Sequence, residues 1–130
     1  MTTAEPKKSE IVVGLSRSPS NRAAWSWASA YSRSCGDRLR AVHVYDSRSR
    51  EAVRKELEAM FAASAPEPDW QLEFLDGQVG KVLLEQSQHA RLLVIGTREH
   101  VGLERIVRGS VSHFCINNAQ CPVVAVPPHA

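Results

Sequence analysis

No apolar run in this sequence approaches the length of a membrane span, which excludes a helical membrane anchor within it. An excess of one charge is missing too. Sixteen basic residues stand against 14 acidic ones, a net charge of +2, so there is no general case for nucleic-acid binding. Eight of the basic residues do fall between Arg17 and Arg54 and could make one face locally positive. Cysteine is scarce and odd in number: Cys35, Cys115 and Cys121, with no C-x-x-C spacing. That argues against a disulfide framework or a zinc site. The three thiols are expected to be reduced and mostly buried, with Cys35, beside a helix end, the most exposed. The first ten residues, MTTAEPKKSE, lack the apolar segment of a signal peptide, so a cytoplasmic location is expected. There is no internal repeat, low-complexity tract or linker. At 130 residues, 43% of them hydrophobic, the length fits one domain with a sizeable core. Residues 1–9 are expected to form a flexible N-terminus and residues 10–130 the domain.

What is present is an alternation of strand and helix signals. IVVGL (Ile11–Leu15) is a β-branched run ending near a glycine and reads as a buried strand. A helix follows, with Ser18 or Ser20 as its cap and Ala24, Trp27, Ala28 and Tyr31 at helical spacing. Gly36 stops it. RLRAVHVYD (Arg38–Asp46) is a second strand. Ser49 can cap a second helix whose face is Val53, Leu57, Met60, Phe61 and Ser64, closed by Pro66 and Pro68. WQLEFL (Trp70–Leu75) alternates as a third strand, and Val79, Val82, Leu83 and Gln86 mark a short helix. RLLVIG is a fourth strand. Val111, Phe114, Cys115 and Ala119 mark a fourth helix, and CPVVAVPP supplies a last strand stopped by prolines. Trp25, Trp27 and Trp70 read as packing residues.

Strands alternating with helices require right-handed crossovers and a parallel sheet covered on both faces. Ligands of such sheets bind beyond the carboxyl ends of the strands, where the strand order reverses. The first and fourth strands are the natural neighbours there. Their ends carry Gly14-Leu15-Ser16 and Gly96-Thr97-Arg98.

At this point the sequence resembles the universal stress protein family. The likeness runs from about Glu10 to Pro127. It is carried by IVVGLSRSPSNRAAWSWA, by AVHVYD, and most specifically by LLVIGTR followed by GSVSHFCINNAQCPVVAVP. The resemblance implies an α/β fold: a Rossmann-like three-layer sandwich with a five-stranded parallel sheet of order 3-2-1-4-5. It also implies a homodimer made through the last strand, Pro122 to Val126. The residues agree, since PVVAV would be an apolar edge strand, a liability unless covered.

Some members of that family bind ATP, and the binders resemble one another in a phosphate motif, G-x2-G-x9-G-(S/T). On this chain its first glycine is Gly96 and its last is Gly109, followed by Ser110, at the required separation. The middle glycine is replaced by Glu99. The binders also carry an acidic residue after the first strand, where this chain has Ser16. The residues that remain can still serve an anion. A helix opening at Gly109, Ser110, Val111 and Ser112 offers free N–H groups and hydroxyls, although Ser110 could equally be a plain cap. Gly96 permits close backbone approach, Arg98 can neutralise phosphate, and Leu15, Thr97 and Val44 fall beside the matching positions. Val44, at the adenine position by resemblance, is otherwise ordinary strand core. Against this, Glu99 places a Cβ and a negative charge where backbone should meet triphosphate. Ser16 holds a ribose hydroxyl more weakly than a carboxylate would.

Catalysis has less support. The five histidines are scattered, Ser110 lacks a nucleophile elbow, and Asp46 is one carboxylate rather than an acid/base pair. The sequence therefore reads as a stress-response module, not an enzyme, with a degenerate site for ATP (with magnesium if it binds) and unknown protein partners. The alternative is a working adenine-nucleotide binder. A slow ATP hydrolase would need a water-positioning group or metal ligand that the sequence does not identify.

Overall fold

The computed structural model describes residues 9–16, 20–45, 50–97 and 111–128. The elements alternate as expected: β1 (Glu10–Leu15), α1 (Ser20–Cys35), β2 (Arg38–Tyr45), α2 (Arg50–Ala63), β3 (Gln71–Asp76), α3 (Val79–Gln86), β4 (Leu92–Gly96), α4 (Val111–Asn118) and β5 (Val123–Val126). The five strands form one sheet in the order β3-β2-β1-β4-β5, and every pairing is parallel. No described helix is long and apolar enough to cross a membrane.

Local chemistry explains the element ends. Gly36 takes φ +81°, and its N–H donates to the Ser32 carbonyl at 2.8 Å, closing α1 in the left-handed conformation that favours glycine. Trp70 falls outside β3 because its N–H turns back to the Glu67 carbonyl at 3.0 Å, so the ladder starts one residue later than the alternation predicts. The caps expected from Ser18, Ser49 and Ser110 lie outside the described residues.

The sheet separates two apolar cores. On one side, Ile11, Val13 and Leu15 of β1 meet Ala24, Trp25 and Ala28 of α1 and Val53 and Leu57 of α2. On the other, Val12 of β1, Val42 and Val44 of β2, and Leu93 and Ile95 of β4 meet Val82 and Leu83 of α3 and Cys115 of α4. This is period-two alternation with both faces covered, as a parallel sheet requires. Trp25 packs edge-on against Trp70 with ring centroids 5.7 Å apart, so these two tryptophans are core residues.

The fourth helix departs from its sequence pattern. Its stripe of Val111 and Phe114 does not face inward: they are 37% and 38% exposed. Ser112 and Cys115 are the buried pair. Phe114 instead lies against α3, where Gly80 leaves room for the ring: a Cβ on Gly80 would stand 2.5 Å from Phe114 Cδ2. A helix of two turns docks by its smaller flank, which lets it approach the sheet closely.

Candidate functional site

The carboxyl ends of β1 and β4 lie side by side at the centre of the sheet. Val13 is opposite Val94 and Gly14 opposite Ile95, which brings Leu15 level with Gly96 and Ser16 level with Thr97. Here the strand order reverses, since β2 lies on one side of β1 and β4 on the other. Leu15 is buried in the core while Ser16 is exposed. Gly96 and Thr97 are half-buried, and the Thr97 N–H donates to the Val126 carbonyl at 2.9 Å, tying the end of β4 to β5.

The floor of this crevice on the α3–α4 side is densely packed. Val44 is 4% exposed and shares a core with Val42, Val82, Leu83 and Ile95. Leu83 leans over Gly14, where a Cβ would stand 2.8 Å from Leu83 Cδ1. Ser112, in the first turn of α4, is buried, and Val111 beside it is exposed. The crevice therefore unites Leu15, Ser16, Gly96 and Thr97 from two adjacent strand ends, with Val44 sealed beneath. Arg98, Glu99, Gly109 and Ser110 lie outside the described residues, as does Asp46.

Two further residues belong to this end of the molecule. Asn21 of α1 and His43 of β2 are both buried, and each bonds the main chain at the end of β1. Asn21 Oδ1 accepts the Ser16 N–H at 2.8 Å. His43 Nδ1 lies 2.8 Å from the Leu15 carbonyl oxygen, which can only accept, so Nδ1 carries the proton. Sequence reading takes His43 as a core or surface group and passes over Asn21. The available signal is an asparagine near the start of the helix that follows β1, a residue type whose side chain readily bonds nearby backbone.

At the neighbouring strand ends, Arg50 lies over the Tyr45 ring at 4.5 Å and is ion-paired to Asp76. Arg54 lies over Phe74 at 4.8 Å and pairs with Glu58 at 3.1 Å. These two cations are thus engaged within the fold. Of the three cysteines, Cys115 shares the core that holds Val44 and Ile95. Cys35 is exposed, Cys121 is intermediate and Cys115 is buried, so one thiol of three is fully buried, fewer than expected from composition. Burial, with a smaller contribution from Cys121, pushes the Cys115 thiol up to about 11.

Comparison with known proteins agrees with this architecture. A model of the universal stress protein family matches residues 49–127. A universal stress protein of Methanocaldococcus jannaschii is 43% identical over 56 residues, 42% of this chain and 33% of that protein. Another, from Mycobacterium tuberculosis, is 27% identical over 137 aligned positions, 92% of this chain and 46% of that protein. The chain thus spans less than half the length of these relatives. Among solved structures, a universal stress protein in complex with cAMP superposes with a TM-score of 0.76 at 21% identity, over 95% of this chain and 99% of the other. One from Archaeoglobus fulgidus in complex with dAMP gives 0.65 at 18% identity, over 91% and 97%.

Proposed function

The chain belongs to the universal stress protein family, and from that premise we propose that it is a regulatory or interaction module whose adenine-nucleotide site is degenerate. It binds ATP weakly or not at all, acts in the cytoplasm and performs no catalysis of its own. The observation that carries this reading is a substitution inside an otherwise intact frame. Gly96 ends β4 beside β1, and Gly109-Ser110 follows at the motif spacing, but Glu99 occupies the middle glycine position. The exposed group at the end of β1 is the neutral Ser16 in place of an acid. Together the two changes weaken ATP binding by ~2–4 kcal/mol, on the order of 30- to 1000-fold.

A second reading, a working binder of adenine nucleotides, draws on the two neighbours that hold cAMP and dAMP. It would use Leu15, Ser16, Val44, Gly96, Thr97, Arg98, Gly109, Ser110, Val111 and Ser112. Calorimetric titration with ATP and magnesium, on the wild type and on Glu99→Gly, separates the two. No binding by the wild type and recovery in Glu99→Gly supports the degenerate site. Micromolar binding by the wild type sinks it.

We also propose that the protein works as a homodimer through β5. In the described sheet β5 is an edge strand of Val123, Val124, Ala125 and Val126, and such an apolar edge favours pairing with a second copy.

A further inference from the structure

The fold spends two buried polar side chains on consecutive main-chain groups. Only seven polar or charged residues are buried among those described, and Asn21 and His43 are two of them, at 8% and 7% exposure. A buried amide or imidazole is tolerated only when hydrogen-bonded. Asn21 meets that need by accepting the Ser16 N–H at 2.8 Å, and its amide nitrogen lies 3.9 Å from the weak acceptor Met60 Sδ. His43 meets it by donating to the Leu15 carbonyl at 2.8 Å, with its ring wedged edge-on against Tyr45 and Phe74 at centroid distances of 5.5 and 6.0 Å. One residue comes from α1 and the other from β2. Between them they hold both sides of the Leu15–Ser16 peptide.

The place of that grip matters. Val13 and Leu15 point into the core beneath α1 and α2, whereas Val12 and Gly14 face α3. Ser16 follows directly after the strand and is exposed. Between them Asn21 and His43 fix the N–H and the carbonyl of the peptide that carries Ser16. A serine is shorter than the acidic residue it replaces, so its reach depends more on where the backbone is held.

We infer that Asn21 and His43 are positioning residues that fix the Leu15–Ser16 peptide and so set where Ser16 stands at the end of β1. This rests on the reading of the crevice as an adenine-nucleotide site, and the test separates the two. The first measurement is hydrogen exchange of the Ser16 amide by NMR, which needs no ligand. Asn21→Leu should speed it by roughly tenfold or more, as expected for loss of the bond that protects it, while Asn21→Asp, which keeps the acceptor, should leave it slow. The second is ATP titration with magnesium in the Glu99→Gly background. Asn21→Leu and His43→Phe should each weaken binding by roughly five- to tenfold, the loss expected from one hydrogen bond, and Asn21→Asp should stay near the parent. Melting temperatures measured alongside identify variants that fail to fold. Unchanged Ser16 exchange in Asn21→Leu overturns the inference, and so does an affinity that follows melting temperature alone in all three variants. If the Glu99→Gly parent itself binds no ATP, the nucleotide reading fails and Ser16 exchange alone decides the positioning role.

Discussion

Arg40 Nη2 stands 3.1 Å from Glu10 Oε1, joining β2 to β1 at the end of the sheet opposite the crevice. The same guanidinium reaches Glu73 of β3 at 3.1 Å and the Gln86 carbonyl at the end of α3 at 2.8 Å. Burial works against the charge, but the hydrogen bonds and attraction of Glu10 and then Glu73 outweigh it, so the pKa of Arg40 lies above its ordinary value. One side chain therefore ties three strands and a helix. Arg40→Met keeps the apolar stem but leaves Glu10 without this partner, and should cost about 2–4 kcal/mol. Glu10→Gln should cost less, because Glu73 and Gln86 still accept. Urea midpoints of the two variants check the order.

Gly14 is required by its neighbour rather than by its own backbone. A Cβ there would stand 2.8 Å from Leu83 Cδ1 and 3.1 Å from Cδ2, and Leu83 is 2% exposed, with little space to retreat. Gly14→Ala should destabilise the fold by about 1–3 kcal/mol through overpacking. Leu83→Ala alone should cost about 2–5 kcal/mol as a cavity. The double variant should cost clearly less than the sum, since each change fills the space that the other empties or crowds. Additive losses in thermal unfolding would mean that the two side chains do not share this space.

The ordered frame was legible in the sequence where one force dominates. The runs around Val12–Leu15 and Leu92–Ile95 are apolar because both faces of a central strand are buried, and both strands are central. Gly36 was legible because a left-handed helix end favours glycine. The inner face of α4 was not, because Ser112 and Cys115 are chosen by closeness to the sheet rather than by hydrophobicity. Nor were the bonds of Asn21 and His43 to the end of β1, which depend on three elements meeting at one peptide. The crevice could be placed from strand order alone. Glu99, on which the proposed ligand selectivity rests, lies outside the described residues.

The thiols should separate by pH. Cys35 is exposed, whereas burial and then Cys121 raise Cys115 to about 11. The thiolate is the reactive form, so at pH 8 roughly one Cys115 in a thousand is ionised. Iodoacetamide at that pH should label Cys35 and spare Cys115 in the folded protein, as mass spectrometry of the digested product would show. The same shift has a stability consequence. The folded state holds the Cys115 proton more tightly than the unfolded chain, whose ordinary value is 9.0. This contribution is fully present below pH 9 and is lost as pH rises through about 11. Cys115→Ala should flatten that decline in chemical denaturation measured across the range, despite its own cavity cost.

The outer edge of β5 in the described sheet gives the proposed dimer a selective test. The Leu93 N–H donates to the Pro122 carbonyl at 3.0 Å and the Thr97 N–H to the Val126 carbonyl at 2.9 Å, so the even-numbered residues of β5 bond inward to β4. Alternation then points the N–H and carbonyl groups of Val123 and Ala125 away from β4, toward the open edge. Ala125→Pro removes one outward N–H and keeps the inward ladder, the position at which an edge strand tolerates proline. If a second copy pairs along this edge, Ala125→Pro should shift sedimentation from dimer to monomer while the chain still unfolds cooperatively. Val124→Pro, which removes an inward N–H, should instead destabilise the fold itself. A wild type that sediments as a monomer at high concentration would sink the β5 dimer. So would an Ala125→Pro variant that remains fully dimeric.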